Sequence, residues 1–367
     1  MMLRSRIHAG DFPSAVYLIG ENGQAKFADA LGDAVREPES HAATLETIYD
    51  LASLTKPLVT GLLCARLVQL GELSLDSSIA NYLLEFDRPD KNHITVRELL
   101  NHTSGLPAWR PLYVLTHGER AATLAAIASE PLDYQTSTRV VYSDPGFIVL
   151  GFLLQRLTGV SLDRLAQRDI IKPLRLAHTF FNPERAVRTS VAAGESGNAY
   201  ERDMCERTIG NSTGANGYSN WRPEVIWGEV HDGNAYFLGG AAGHAGLFST
   251  AAETLHLANQ FIGGLSELLS KETCQLFRRN MTDGLNEARS FAWQLAATKD
   301  STAGPALPPD AFGHTGFTGT SCWIDSHHQR VFILLTNRTH ARPLPFANIN
   351  AVRREFHTMA VEALKES

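Results

Sequence analysis

The chain has 367 residues, 44% of them hydrophobic and 20% charged, with 33 basic against 39 acidic side chains and a formal net charge of −6. That is enough apolar material for a large core, spread over roughly two or three units at ~100–200 residues each. The mild acidity excludes a basic footprint for nucleic acid, and no lysine–arginine cluster marks an anionic membrane surface. A small-molecule or peptide substrate stays open as partner. Cys64, Cys205, Cys274 and Cys322 are scattered without a C-x-x-C pair, so they read as small buried hydrophobes and not as a disulfide or metal framework. The opening MMLRSRIHAGDFP has basic residues but no apolar run of leader length. The longest apolar stretch, GFIVLGFLL (146–154), falls short of the ~20 residues of a membrane span. A cytoplasmic protein with no membrane span is the expectation.

In chain order, SAVYLIGENGQAKFADALG (14–32) predicts a hairpin, because two strand-like runs flank the turn-forming Asn22-Gly23. LTKPLVTGLLCARLVQL (54–70) has helical spacing and stops at Gly71. ITVRELLNHTSGL (94–106) predicts a short helix running into a polar turn. SDPGFIVLGFLLQRLTGV (143–160) predicts another helix, with Pro145 tolerated in its first turn and Gly159 near its end. Residues 185–234 are rich in Gly, Asn, Ser and Glu, lack periodicity, and read as a long functional or mobile excursion. TAAETLHLANQFIGG (250–264) returns to helix. GTSCWIDSHHQRVFILLTNR (319–338) alternates, turns at 326–329 and runs on as a buried strand, and a last helix covers about 348–365. Strands near both ends with helices between predict an α+β chain. Its sheet domain is built from 1–75 and 250–367, with a mostly helical insertion at 76–249.

The chemistry begins at YDLASLTKPLVTG (49–61). Ser53 and Lys56, at i and i+3, share one helical face. At a helix start, free N–H groups and the dipole favour a developing oxyanion, and Pro57 is tolerated only near that start. A serine hydroxyl is a weak nucleophile until a neighbouring base takes its proton. The bland reading is a capped helix with a solvated lysine, and Ser-x-x-Lys alone does not displace it. Two more stretches do. VVYSDPG sets Tyr142 and Asp144 just before a helix, and FGHTGFTGTSCWID sets His314, Thr315 and Gly316 at the start of a strand. The order Ser-x-x-Lys, Tyr-x-Asp/Asn, Lys/His-Thr-Gly is the three-part signature of penicillin-recognising serine enzymes.

With DLASLTKPLVTGLL, TVRELLNHTSGL, VYSDPGF, GGAAGHAGLFSTAAE and GHTGFTGTSCWID in family order from Asp50 to Asp325, the chain resembles the class C β-lactamase-like serine hydrolases. These include D-alanyl-D-alanine peptidases and related esterases. The resemblance implies an antiparallel sheet flanked by helices, a β-lactamase/transpeptidase-like fold, and no metal or organic cofactor. It implies Ser53 as the acylated nucleophile, Lys56 sharing its proton, and Tyr142 passing a proton to the leaving group and later activating water. It implies an oxyanion hole from the N–H groups of Ser53 and Phe317, with His314 and Thr315 lining the substrate slot beside Gly316. A lysine acts as a base near neutrality only if desolvated or set beside another cation; otherwise Lys56 stays protonated and stabilises a Tyr142 phenolate. Both remain open at this stage, and the groups titrate as a set if coupled.

The chain departs from the pattern in two places. Asp144 stands where many members have asparagine; an ionised carboxylate only accepts, and it holds Lys56 protonated. Poor β-lactam turnover is therefore expected. His314 replaces lysine and is a weaker anchor for a carboxylate near pH 7. The expected activity is a carboxylesterase or a D-amino-acid peptidase, the alternatives being a true β-lactamase and a catalytically silent penicillin- or peptidoglycan-binding protein. GNSTG (210–214) imitates a Gly-x-Ser-x-Gly elbow with Ser212, but lacks the flanking strand and helix that motif requires. His102 is expected to be structural within a self-satisfying turn, and His244 is a candidate for facing substrate. His327 and His328 read as a solvated hairpin tip, and His231 and Asp232 as packing at the cleft border. Tyr218, Trp221 and Trp227 are candidate walls of the acyl pocket.

Overall fold

A computed structural model describes residues 2–209, 218 and 220–366. The GNSTG stretch with Ser212 lies outside the described residues. Period-two patterning at both ends of the chain produces one sheet. The strands are β1 (Ser14–Glu21), β2 (Gln24–Val35), β3 (His41–Ala42), β7 (Gln294–Leu295), β8 (Phe312–Thr315), β9 (Ser321–Asp325) and β10 (Arg330–Thr336), in the spatial order β3-β2-β1-β10-β9-β8-β7. Every adjacent pair is antiparallel. The ends of the chain meet where β1 lies on β10, from Ala15 opposite Thr336 to Glu21 opposite Arg330. Asn22 and Gly23 both take positive φ (53° and 79°), the geometry a tight hairpin between right-twisted strands requires.

Alternation along β1 and β10 sorts side chains to two faces. Ala15, Ile19, Phe332 and Leu334 join Trp323 and Phe356 in one cluster, beneath the N-terminal helix (Met2–Ala9) and the C-terminal helix (Asn350–Glu366). Val16, Leu18, Val331, Ile333 and Leu335 face the other way into the main core, which also takes Leu58, Leu62, Phe147 and Leu150 from the helical body. With both faces covered, β10 reads as a continuous apolar run. The four cysteines are free and buried, as their scatter implies. No single helix among the described residues is long and apolar enough to cross a membrane.

A small second sheet, β4 (Tyr49–Asp50), β6 (Leu247–Ser249) and β5 (Phe180–Phe181) in the order β4-β6-β5, joins the two halves of the chain next to Ser53. The predicted 54–70 helix begins as a 3-10 turn (Ala52–Leu54), widens into a π-helical segment (Lys56–Gly61) and regularises as an α-helix (Leu62–Gln69). The central helix, Asp144–Thr158, is capped by Ser143, whose Oγ accepts from the Gly146 N–H, and stops at left-handed Gly159. One correction concerns residues 185–234. They contain an α-helix, Ala199–Ile209, whose inward residues are Glu201 and Cys205. Hydrophobic periodicity cannot reveal a helix whose buried stripe is a carboxyl and a thiol.

The central helix touches the loop 239–246 through two glycines. A Cβ on Gly243 would overlap the Phe147 carbonyl oxygen, and a Cβ on Gly151 would stand 3.0 Å from the Gly243 nitrogen. Gly243→Ala is therefore expected to force backbone apart at an overpacking cost of about 1–3 kcal/mol. Thermal unfolding checks it: the midpoint falls by several degrees, and a midpoint within a degree of wild type contradicts the close approach.

Candidate active site

The turn carrying Ser53 is strained and heavily tied down. Ala52 takes φ +47°, the left-handed region that L-residues avoid at a cost of ~1–3 kcal/mol. Asp50 accepts the Ala52 N–H on Oδ1 (2.8 Å) and the His231 N–H on Oδ2 (2.8 Å). From the β8–β9 connection, Thr318 Oγ1 donates to the Asp50 carbonyl (2.8 Å) and Thr320 Oγ1 to the Leu51 carbonyl (3.0 Å). Thr55 Oγ1 donates to the Ala52 carbonyl (2.7 Å) and accepts the Leu247 N–H (3.1 Å). These bonds hold the peptide before the serine in a conformation it would otherwise leave. Gly316 explains the Thr-Gly signature: a Cβ there would crowd Ala52 Cβ at 3.2 Å and the Leu51 carbonyl at 2.6 Å. Only glycine lets the strand end, with the Phe317 N–H, approach the Ser53 turn so closely.

Lys56 is fully buried. Its Nζ donates to Ser53 Oγ (2.9 Å) and to the His244 carbonyl (3.1 Å), and lies 2.7 Å from Asp144 Oδ1. The same Nζ sits 4.8 Å from the centroid of the Tyr142 ring. Burial pulls the Lys56 pKa down, but the Asp144 carboxylate, with Tyr142 beside it, outweighs that effect, and the ammonium is held above its ordinary value. For Tyr142, burial raises the phenol pKa and Asp144 adds to the rise, against the opposing influence of Lys56 and Ser53. The Tyr142 hydroxyl is enclosed and makes no well-aligned hydrogen bond among the described residues. Ser53, Lys56, Tyr142 and Asp144 thus form one contact group drawn from two helix starts.

His314 donates from Nδ1 to the Thr315 carbonyl (2.9 Å), which leaves Nε2 as a bare acceptor, enclosed and unpartnered. Burial, then the charges of Lys56 and Arg289, push its pKa well below the usual histidine range, so the ring is neutral. It lies 5.6 Å from the Tyr142 ring. His314, Thr315, Gly316 and Phe317 line one cleft of about 400 Å³ with Ser53 and Tyr142. Three cations the sequence reading missed, Arg289, Arg338 and Arg353, also line it, together with one carboxyl, Asp300, and neutral polar residues. Arg353 donates to the carbonyls of Gly316 (2.8 Å) and Thr320 (2.9 Å), and Arg338 donates from Nε to the Phe317 carbonyl (2.6 Å). Neither forms an ion pair with a carboxylate among the described residues. Burial holds both guanidinium pKa values below normal, that of Arg353 at about 9. A signal for Arg353 existed: with His357 it interrupts the otherwise apolar buried stripe of the last helix.

The other candidates separate. Asp144 borders a second pocket of about 320 Å³ that meets the first at Ser53, Tyr142 and Phe317. His231 and Asp232, read as packing, line that pocket too. His244 does not face substrate as expected: its ring is buried behind Lys56, with Nε2 2.8 Å from Asp232 Oδ1, and only its carbonyl serves the site. His102 is structural, but not through local bonding. Its Nδ1 accepts the Ser143 N–H (3.0 Å) and its ring lies 4.7 Å from Tyr142, so it sets the tyrosine loop from 41 positions away. Tyr218 and Trp221 pack on Tyr113 (4.9 and 5.9 Å), and Trp227 is buried with Nε1 on the Val191 carbonyl (2.7 Å). Trp109, Tyr200, Met204 and Phe317 make the apolar wall instead. His328 pairs with Asp325 (2.7 Å), and no group of three or more possible metal ligands occurs among the described residues.

Comparison with known proteins agrees with this geometry. The profile of the β-lactamase family matches residues 2–354. A protein of Escherichia coli (strain K12) named "Putative D-alanyl-D-alanine carboxypeptidase" is 32% identical over 355 residues, 90% of this chain and 79% of that protein. An "N-acetylmuramyl-L-alanine amidase" of Bacillus subtilis (strain 168) is 32% identical over 367 residues, 92% and 80% of the two chains. The solved structure of "EstCE1, a hydrolase with promiscuous acyltransferase activity" shares the fold, with a TM-score of 0.73 at 21% identity over 97% of this chain and 96% of that one. The chain belongs to the β-lactamase family of serine hydrolases, which joins β-lactamases to penicillin-binding-protein-type carboxypeptidases and esterases.

Proposed function

We propose that the protein is a serine peptidase of the D-amino-acid carboxypeptidase type, working through a Ser53 acyl-enzyme on substrates whose leaving group carries a carboxylate. One observation carries this reading: buried Arg353 and half-buried Arg338, beside Ser53 in the 400 Å³ cleft, have no carboxylate ion-pair partner among the described residues. An unpaired buried cation is costly, and a substrate carboxylate would relieve it. With His314 neutral, the arginines supply the positive charge that a lysine at 314 would bring. A carboxylesterase is the second reading. It is favoured by Asp144, which in its ionised state offers no donor to the acylamino carbonyl of a penicillin.

In the proposed sequence, Ser53 Oγ attacks the scissile carbonyl while the N–H groups of Ser53 and Phe317 receive the oxyanion. Lys56 stays an ammonium, because Asp144 at 2.7 Å holds its proton. Tyr142 is then the proton carrier: its phenolate takes the Ser53 proton and, as the phenol, gives it to the leaving amine nitrogen as the C–N bond breaks. Lys56 stabilises phenolate character during that transfer. In deacylation the Tyr142 phenolate takes a proton from the attacking water and the resulting phenol gives it to Ser53 Oγ, so each half-reaction leaves the group as it began.

Ser53→Ala is expected to lower hydrolysis of both a D-alanyl-D-alanine peptide and a p-nitrophenyl ester by more than about 10³-fold, since no other hydroxyl replaces the nucleophile. Steady-state assays with a fluorophosphonate labelling control check it, and retained turnover overturns the reading. Asp144→Asn yields a test whose sign does not depend on which group is the base. Asp144 raises the pKa of both Lys56 and Tyr142. Neutralising it therefore lowers both, and the acidic limb of the kcat/KM profile should move to lower pH. An unmoved limb, or one displaced to higher pH, contradicts the coupling.

A further inference from the structure

The two sides of Ser53 have opposite electrical character. The cleft beside His314 carries Arg289, Arg338 and Arg353 against a single carboxyl, Asp300. The 320 Å³ pocket that adjoins it at Ser53 is lined by Asp144, Glu201 and Asp232, with no lysine or arginine among the described residues on its wall. If the leaving carboxylate occupies the arginine cleft, the acyl part of the substrate must enter this acidic pocket.

Its three carboxyls are not equivalent. Asp144 is neutralised by Lys56 (2.7 Å), and Asp232 is hydrogen-bonded to the His244 ring (2.8 Å). Glu201 is 7% exposed and has no ion-pair partner among the described residues. Its Oε1 accepts from the Tyr113 hydroxyl (3.0 Å), and the Gly233 N–H also donates to the carboxyl. A carboxylate has about four acceptor positions, so these two donors leave room for a third partner. A Cβ on Gly233 would overlap both carboxyl oxygens, so the backbone there holds the side chain against the pocket. Burial, with Asp232 adding to it, pushes the Glu201 pKa up to about 8, against the opposing influence of the Tyr113 hydroxyl, the Arg222 charge and the Gly233 N–H. The rest of the wall is aromatic or thioether, from Trp109, Tyr200, Phe317 and Met204, and aromatic faces also attract cations.

We propose that Glu201 is the specificity residue of the acyl pocket and pairs with a primary ammonium group on the acyl portion of the substrate. The substrate would then be zwitterionic across the scissile bond, with carboxylate on the leaving side and ammonium on the acyl side. This deepens the reading of Ser53 as an acylated nucleophile and rests on it. A protonated Glu201 merely donating to a neutral carbonyl is the competing arrangement, and it makes the opposite prediction for substrate charge.

The test compares kcat/KM within two matched pairs at fixed pH. D-alanyl-D-alanine is set against propionyl-D-alanine, and Nα-acetyl-L-lysyl-D-alanyl-D-alanine against its Nε-acetylated form. Each pair shares a leaving group and differs by one ammonium. Wild type should prefer the ammonium member of at least one pair by about tenfold or more, the scale of a desolvated charge pair. In Glu201→Gln that preference should collapse towards unity, and in Glu201→Lys it should reverse. Because the readout is a ratio within one protein, loss of overall activity does not imitate the result. Should the variants fail to fold, wild type decides: equal rates in both pairs overturn the proposal, as does a preference that survives Glu201→Gln. If p-nitrophenyl acetate is hydrolysed and Ser53 is labelled while neither pair is discriminated, the ammonium proposal alone fails. If no probe reacts and Ser53 is not labelled, the acyl-enzyme reading fails and takes this one with it.

Discussion

A single buried ammonium organises this protein. Lys56 is sealed from solvent, and withdrawing a cation from water costs several kcal/mol even after the surroundings relax. The fold must therefore bring it an anion and acceptors, and these come from distant parts of the chain. Ser53 lies one turn before it, Asp144 starts the central helix, and the His244 carbonyl arrives on a glycine loop. Removing one partner of such a pair costs ~3–5 kcal/mol, because the other charge is left stranded. Assembly of the site and packing of the helical body are thus the same event.

Strain accompanies that arrangement. Left-handed Ala52 precedes the serine, and a π-helical segment follows from Lys56 to Gly61, with every residue of it buried. Wide turns of this kind concentrate at functional sites. What holds them is a web of side-chain bonds from Asp50, Thr55, Thr318 and Thr320, most of them buried and none more than 3.1 Å long. Thr318 and Thr320 come from the β8–β9 connection, so the sheet fixes the turn and thereby the approach of Phe317. Glycine at 316, 243 and 151 is what permits these close encounters.

The cleft is electrically divided by its own nucleophile. Arginines hold the carbonyls of Gly316, Phe317 and Thr320 on one side, and acids line the other. On the first side, guanidinium groups stiffen the strand end while keeping positive charge near the reacting carbonyl. On the second, Asp144 divides its influence between Lys56 and the acyl pocket, so proton transfer and substrate preference share one carboxylate.

Much was legible before any coordinates. The hairpin at Asn22-Gly23, the helix starts at Ser143 and Thr95, and the three-part Ser-Lys, Tyr-Asp, His-Thr-Gly order follow from turn chemistry, caps and spacing, all of which act over a few residues. The contact between Ser53 and Lys56 is of that local kind. Other features depended on the folded chain. Helix Ala199–Ile209 was invisible because its inward residues are Glu201 and Cys205. The part played by Arg338 and Arg353 was hidden because a cation far along the sequence gains meaning only beside the carbonyls it meets. The reading of His244 as facing substrate failed for the same reason, since it contributes its backbone, and His102, structural as expected, acts on a peptide 41 positions on rather than within its own turn. Local sequence determined the elements and the reactive triplet, since those rest on short-range sterics and hydrogen bonding. Tertiary packing alone decided which charges are stranded, which are paired and which way the cleft is polarised, because those energies depend on distance and burial between segments hundreds of residues apart.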